Sequence, residues 1–140
     1  MNNQLRIAIA EDEPEIRRFF VRVLERLGHT VVGAVENGIE LIDLCRSEQL
    51  DLVVTDMVMP EMDGFDTIVN ISQEFSLPVI VISSYDLADS DEVNRLGNIV
   101  AYLMKPVSEQ QLAAAIDNWT TDVKSSDKSL SAKQSKSIVQ

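Results

Sequence analysis

Short apolar runs recur along most of this chain, and polar residues separate them. The runs occupy residues 5–10, 30–35, 52–55, 77–82 and 99–104, and most of their residues are Val, Ile, Leu or Ala. Runs of four to six residues with this composition are typical of buried β-strands. The spacing of the runs therefore predicts five strands, each followed by a longer segment.

The segments between the runs have apolar residues three and four positions apart, as in amphipathic helices. In the first, Pro14 stands at the start and Gly28 at the end, as helix signals require. Further helices are predicted after the Asn37–Gly38 turn, over 65–71, over 86–96, and after a capping box made by Ser108 and Gln111. Alternating strands and helices predict an α/β doubly wound fold, with a parallel sheet covered on both faces.

Composition restricts the class of protein. The 140 residues suit one domain, and the net charge of −11 argues against a nucleic-acid or anionic-membrane partner. The single cysteine, Cys45, excludes an intramolecular disulfide and fits a reducing compartment. No run reaches the length of a membrane span, and the first residues do not form a signal peptide. A cytoplasmic protein is expected.

The composition changes after Trp119. Residues 120–140 are rich in Ser and Lys and have few apolar residues, which predicts a disordered tail or linker stub. Residues 1–119 form the predicted domain, and Lys105 is the only lysine among them.

Chemically active side chains follow four of the five predicted strands. Glu11 and Asp12 follow the first, Asp56 the third, Ser83 the fourth and Lys105 the fifth. Because right-handed crossovers bring the carboxyl ends of parallel strands to one edge, where open sheets bind ligands, these side chains are predicted to share a site.

Three carboxylates at one edge repel one another, and Mg²⁺ with its preference for oxygen ligands relieves that repulsion. A cation beside a carboxylate also suits phosphoryl transfer, with Asp56 as nucleophile, Lys105 as counter-charge and Ser83 as hydrogen-bond donor. Taken alone, each residue has an ordinary structural explanation: Asp56 can cap a turn, and Lys105 can be a solvated surface charge. Their joint placement favours the functional interpretation.

Residues 5–119 resemble the receiver domain of two-component response regulators. The resemblance lies in Glu11–Asp12, the loop from Asp56 to Gly64, Ser83, and Lys105–Pro106. It implies a flavodoxin-like (βα)5 fold with strand order 2-1-3-4-5. It also implies that Asp56 accepts a phosphoryl group from a sensor histidine kinase or a histidine phosphotransfer protein.

The resemblance assigns further roles at the metal site. Asp12, Asp56 and the backbone carbonyl of Val58 are expected to bind Mg²⁺, and Glu11 is expected to act mostly through water. Ser83 and Lys105 are expected to hold the phosphoryl oxygens.

Other implied roles concern switching and lifetime. Ser83 and Tyr102 are expected to form the switch, with Tyr102 turning inward when Ser83 moves toward the phosphoryl group. Val58 and Tyr85 flank the path of the hydrolytic water in the family's geometry. Neither positions that water well, so slow dephosphorylation is expected.

Three features depart from the family pattern. Glu11 replaces the commoner Asp, Ser83 replaces the commoner Thr, and residues 97–102 lack the usual Gly-Ala-Asp before the switch aromatic. The last departure lies close to the surface where partners often read the phosphorylation state.

The sequence therefore predicts a phosphorylation-dependent signalling switch that changes its affinity for a partner, and not an enzyme that acts on metabolites. The downstream partner is expected at the face made by the fourth helix, fifth strand and fifth helix, and a homodimer formed on phosphorylation is also allowed.

A haloacid-dehalogenase-type phosphatase is set aside because Val58 stands where that family needs a second Asp. A receiver-like protein that binds without phosphorylation is disfavoured by Asp12, Asp56 and Lys105. A standalone receiver and a part of a longer regulator both remain open.

Overall fold

The computed structural model describes residues 4–59, 64–85 and 90–128. Its strands are β1 (Arg6–Ala10), β2 (Thr30–Val35), β3 (Leu52–Asp56), β4 (Val79–Ser83) and β5 (Ile99–Met104). Its helices are α1 (Pro14–Arg26), α2 (Gly38–Ser47), α3 (Gly64–Glu74), α4 (Asp91–Asn94) and α5 (Glu109–Lys128). Strand and helix alternate five times, as the hydrophobic pattern predicts.

The five strands form one parallel sheet in the order β2-β1-β3-β4-β5. This confirms the predicted strand order and the doubly wound fold. Strand β3 lies at the centre, and every residue of β3 and β4 is buried. All five strands therefore end at the same edge of the sheet.

Two apolar layers cover the faces of the sheet because successive strand residues point to opposite sides. On one face, Ile9 and Val54 pack with Phe20 of α1 and Ile116 of α5. On the other face, Ala8, Val53 and Val81 pack with residues of α2 and α3, among them Leu41, Ile68 and Ile71. The helices are thus held on both faces by the amphipathic patterns that predict them.

Helix α4 is shorter than the predicted helix over 86–96. It is a single turn, Asp91–Asn94, and the Ser90 side chain caps it by accepting from the backbone N–H of Val93 at 3.2 Å. Residues 86–89 lie outside the described ranges. Val93 is buried, whereas Asp91, Asn94 and Arg95 are exposed. A segment this polar buries too little apolar surface to extend the helix.

Helix α5 is longer than predicted. It begins at the expected capping box, in which the Ser108 N–H donates to Gln111 Oε1 at 2.9 Å and the Gln111 N–H donates to Ser108 Oγ at 3.1 Å. It continues to Lys128, so residues 120–128 are helical, whereas the sequence analysis expects a disordered tail or linker stub from Thr120. No Gly or Pro follows Trp119 in the sequence, so nothing there breaks a helix that is already formed. Residues 129–140 lie outside the described ranges.

Among the residues that the structure describes, no helix has both the length and the apolar character needed to cross a bilayer.

Candidate functional site

The side chains that the sequence analysis assigns to one site meet at the carboxyl edge of the sheet. Glu11 follows β1, Asp56 ends β3, Ser83 ends β4 and Lys105 follows β5. The backbone N–H of Lys105 donates to the carbonyl of Ser83 at 2.8 Å, which continues the β4–β5 pairing to the edge. Parallel register thus brings together residues that are far apart in the chain.

Lys105 is the cation of the site. Its Nζ lies 2.7 Å from Asp56 Oδ2 and 3.3–3.4 Å from the two carboxylate oxygens of Glu11. Burial opposes the charged ammonium, but the hydrogen bond and charge of Asp56, and the charge of Glu11, raise the pKa of Lys105 overall. Lys105 is therefore protonated at neutral pH. The Lys105–Pro106 peptide bond is cis.

Asp56 is almost completely enclosed. Its side chain is 5% exposed, Oδ2 accepts from Lys105, and Oδ1 accepts from the backbone N–H of Val58 at 3.2 Å. Both carboxylate oxygens thus have a donor. The carboxylate is fixed at the end of the central strand.

Glu11 is fully buried and only partly satisfied. Oε2 accepts from the backbone N–H of Glu13 at 3.2 Å and from Lys105 at 3.4 Å, whereas Oε1 has no hydrogen bond among the described residues and lies 3.3 Å from the Lys105 ammonium. Burial, with the nearby charge of Asp56, raises the pKa of Glu11 to about 7. A buried carboxylate with an unused oxygen is costly unless a cation or a proton neutralises it.

A cation fits this position. Glu11, Asp12 and Asp56 each have a carboxylate oxygen within 4.8 Å of those of the other two. Asp12 is only partly buried, so the cluster is reachable from solvent. Oxygen ligands around a site that keeps contact with water suit Mg²⁺. Two observations on the described residues support this fit: Glu11 Oε1 accepts no hydrogen bond and has an ion-pair contact with Lys105, and the carboxylates of the site outnumber its ammonium groups.

The loop after Asp56 is closed by Gly64. The Gly64 N–H donates to the Met57 carbonyl at 2.9 Å, and a Cβ on Gly64 would overlap the Met57 backbone. Only glycine allows α3 to begin so close to the end of β3. This contact explains the glycine that ends the Asp56–Gly64 motif. Residues 60–63 of the motif lie outside the described ranges.

The two residues assigned to the switch lie on neighbouring strands. Ser83 is buried, and its Oγ accepts from the backbone N–H of Tyr85 at 3.0 Å. Tyr102 is opposite Val81 in the β4–β5 register, and its hydroxyl donates to Asn94 Oδ1 at 3.0 Å. Burial raises the pKa of Tyr102.

Val58 and Tyr85, the residues assigned to lifetime, are both open to solvent. Their exposed fractions are 62% and 69%. Each lies two positions beyond a central residue of the site, Val58 after Asp56 and Tyr85 after Ser83. Neither side chain makes a hydrogen bond in the described part of the site.

Two features escape the sequence analysis. The Arg17 guanidinium donates to the Glu11 carbonyl at 2.7 Å and so braces the acidic turn from α1. A cavity of about 420 Å³ also opens beside Lys105, and its other lining residues are Glu15, Ile16, Phe19, Phe20, Pro106 and Val107. Arg17 gives no distinguishing signal among the four arginines of α1, and the cavity depends on how α1 meets the segment after β5.

Fold and site together define an α/β protein with an open parallel sheet, and with a carboxylate cluster and a lysine at its carboxyl edge. Residues 7–117 match the family model described as the response regulator receiver domain. The chain belongs to this family of two-component signalling domains.

The chain is similar to parts of proteins of different kinds. The chain is 35% identical over 112 residues to the transcriptional regulatory protein PdtaR of Mycobacterium tuberculosis, covering 80% of the chain and 55% of PdtaR. It is 31% identical over 121 residues to the sensor histidine kinase GacS of Pseudomonas protegens, covering 82% of the chain and 13% of GacS. The chain thus spans about half the length of PdtaR and a small part of GacS.

Solved structures agree with the family. The isolated REC domain of RcsB from Salmonella enterica serovar Typhimurium, determined with the phosphomimetic BeF3⁻, has a TM-score of 0.76 and 26% identity, covering 85% of this chain and 90% of that one. The chemotaxis response regulator CheY4 of Vibrio cholerae, at 19% identity, has a TM-score of 0.75 and covers 83% of this chain and 98% of that one. The second likeness concerns the fold alone.

Proposed function

We propose that this chain is a phosphorylation-dependent switch. Asp56 accepts a phosphoryl group from a phosphohistidine of a sensor histidine kinase or a histidine phosphotransfer protein, and the product changes the affinity for a partner. The observation that supports this most directly is the position of the Lys105 ammonium. It lies 2.7 Å from Asp56 Oδ2, beside the carboxylate cluster of Glu11, Asp12 and Asp56.

The proposed transfer forms a bond between an Asp56 carboxylate oxygen and phosphorus as the bond from phosphorus to the donor imidazole breaks. The imidazole leaves with the electron pair of that bond. Lys105 neutralises charge on the phosphoryl oxygens. The Ser83 oxygen accepts from the Tyr85 N–H, so its own O–H remains able to donate to a phosphoryl oxygen.

Asp12 and Asp56, with the Val58 carbonyl and with Glu11 through water, would hold Mg²⁺. When bound, Mg²⁺ adds positive charge against the phosphoryl oxygens. Because the Val58 N–H already contacts Asp56 Oδ1, the backbone of this residue lies at the site. The chain's own catalysis extends only to its phosphorylation and dephosphorylation.

The cavity beside Lys105 is the proposed contact surface for the phosphodonor. A donor must bring its phosphohistidine to Asp56, and this apolar groove opens at Lys105, next to that carboxylate. Arg18 and Arg22 are exposed one turn apart on α1, which borders the groove. In a chain with a net charge of −11, these arginines favour a donor with acidic residues around an apolar centre.

The proposed downstream surface is the face of α4, β5 and α5. Met104 is 49% exposed on β5, and Asp91 is exposed on α4. An exposed apolar residue on β5 and an exposed acidic residue on α4 suit a partner that brings Arg or Lys. The same face is available for a homodimer formed on phosphorylation. The proposed location is the cytoplasm, and the proposed domain remains residues 1–119.

Phosphorylation of the purified full chain tests the proposal. Acetyl phosphate with Mg²⁺ is expected to add one phosphoryl group, seen by intact-mass spectrometry, and Asp56→Asn is expected to abolish it. The exposed Asp43 supplies a matched control, because Asp43→Asn should leave the reaction unchanged. No phosphorylation of the wild type, or equal phosphorylation of Asp56→Asn, would overturn the proposal in favour of a receiver that binds without phosphorylation.

A further inference from the structure

One hydrogen bond joins Tyr102, the proposed switch residue, to helix α4. The hydroxyl of Tyr102, in the middle of β5, donates to Oδ1 of Asn94, the last residue of α4, at 3.0 Å. The Tyr102 ring is partly buried and packs against the apolar layer that contains Val79 and Val81. The bond therefore fixes one end of a ring whose other contacts with the described residues are apolar, and apolar contacts are not directional.

Helix α4 is a weak element that such a bond can hold in place. It is a single turn, capped by Ser90, and Val93 is its buried apolar residue. The backbone N–H of Asn94 donates to Ser90 at 3.0 Å, so Asn94 belongs to the hydrogen-bonded turn. A movement of the Tyr102 hydroxyl away from Asn94 removes a tie between this turn and the sheet.

We propose that Asn94 is a positioning residue for the switch. Its side chain holds Tyr102 in the arrangement seen here, and this bond must break before the ring can turn toward Ser83. The inference rests on the proposed function, because it assumes that a phosphoryl group on Asp56 draws Ser83 forward. A contact made in one arrangement and lost in the other shifts the equilibrium between them. By linkage, the same bond must weaken the binding of a phosphoryl mimic.

Titration of the full chain with beryllofluoride in the presence of Mg²⁺, followed by amide NMR, tests the inference. Asn94→Ala is expected to tighten the apparent binding of beryllofluoride roughly two- to tenfold, the range for one partly exposed hydrogen bond. Asn118→Ala is the matched control, because Asn118 is an exposed residue of α5, and it should leave the binding unchanged.

A double-mutant cycle separates the bond from general destabilisation of α4. In a Tyr102→Phe background the hydroxyl is absent, so Asn94→Ala should have a smaller effect on beryllofluoride binding than in the wild type. Equal effects of Asn94→Ala in both backgrounds, or no effect in the wild type, would overturn the inference. Circular dichroism checks that Asn94→Ala folds, and if it does not, Asn94→Ser, which also lacks the amide oxygen, takes its place in the cycle.

The outcome for the wild type keeps the two proposals distinct. If wild-type protein with Mg²⁺ does not bind beryllofluoride at all, the proposed phosphorylation function fails. If it binds and the cycle shows no coupling, the function stands and only the role of Asn94 is wrong.

Discussion

Lys105 reaches Asp56 across an intervening strand. Their side chains meet at 2.7 Å, although β4 separates β3 from β5 in the sheet. Two strand spacings amount to about 10 Å, so the lysine side chain must extend over the end of β4, where Ser83 lies. The ammonium and the carboxylate are therefore paired at the carboxyl edge of the sheet, beyond the end of the strand that lies between them.

Mg²⁺ should stabilise the folded protein. The cluster of Glu11, Asp12 and Asp56 exists only in the folded state, so metal binding adds about 1–3 kcal/mol to the free energy of unfolding when Mg²⁺ is well above its Kd. Urea unfolding with and without MgCl₂ measures this. Asp12→Asn should remove most of the gain, whereas Glu36→Gln, at an exposed carboxylate outside the cluster, should retain it. Equal unfolding curves with and without Mg²⁺ in the wild type would contradict the site.

The phosphorylated protein should lose its phosphoryl group slowly. Val58 cannot hydrogen-bond a water through its side chain, and the bulky Tyr85 stands beside Ser83, so the hydrolytic water is poorly positioned. Val58→Asn combined with Tyr85→Ala should speed the decay, measured as release of ³²P from the labelled protein. Ile39→Asn, at an exposed apolar residue of α2, is the control. Fast decay in the wild type that the double substitution does not change would refute this account.

Reversing the charge on α1 should slow phosphorylation by a protein donor and leave a small donor unaffected. In the Arg18→Glu, Arg22→Glu variant, transfer from a histidine kinase that phosphorylates the wild type should fall on the order of tenfold, because steering by the arginines is lost. Acetyl phosphate does not need the groove and should react at the wild-type rate. Arg95→Glu, at an exposed arginine that does not line the groove, is the control. Equal losses with both donors would show damage to the site itself.

Gly64→Ala should destabilise the protein by about 1–3 kcal/mol, because the added methyl group meets the Met57 backbone and neither chain segment can move aside freely. Gly97→Ala is the control, because it adds the same methyl group where no other part of the described structure lies within 4 Å. Its effect on the free energy of unfolding should stay within about 1 kcal/mol. Urea unfolding of both variants provides the comparison. Equal stabilities for the two variants would show that the Met57–Gly64 approach is not tight.

His29, the single histidine, should titrate below its ordinary pKa. It is partly buried, its Nδ1 accepts from the Leu5 N–H at 3.1 Å, and burial lowers its pKa although Asp117 acts in the opposite direction. The stabilisation from neutral His29 is therefore present above about pH 6.5 and is lost as pH falls through the lower folded-state value. NMR titration of the imidazole protons measures the pKa directly. His29→Gln should show less loss of stability between pH 7 and pH 5 than the wild type.

The sheet and the core of the site follow from local sequence. Five apolar runs give five strands, and crossover handedness then places whatever follows each strand at one edge. This is why Glu11, Asp56, Ser83 and Lys105 can be placed together before any coordinates are known. Their roles remain predictions, because a shared edge fixes position and not reactivity.

Other features depend on contacts that no local pattern contains. Helix α4 is short because it buries little apolar surface. Helix α5 is long because its sequence contains no helix-breaking residue. The bond from Tyr102 to Asn94 and the brace from Arg17 to Glu11 join polar residues whose types are common on any surface. The partial burial of His29 likewise arises only when α1 turns back toward the first strand.

The length of α5 has a consequence for how a signal can travel. Its 20 residues span about 30 Å, nearly twice the length of a five-residue strand. The helix starts shortly after Lys105, at the carboxyl edge of the sheet, and its last residues lie far from Asp56. The direct Coulomb effect of a charge placed on Asp56 falls with that distance. A signal that reaches Lys128 is therefore expected to travel as a displacement of the helix relative to the sheet.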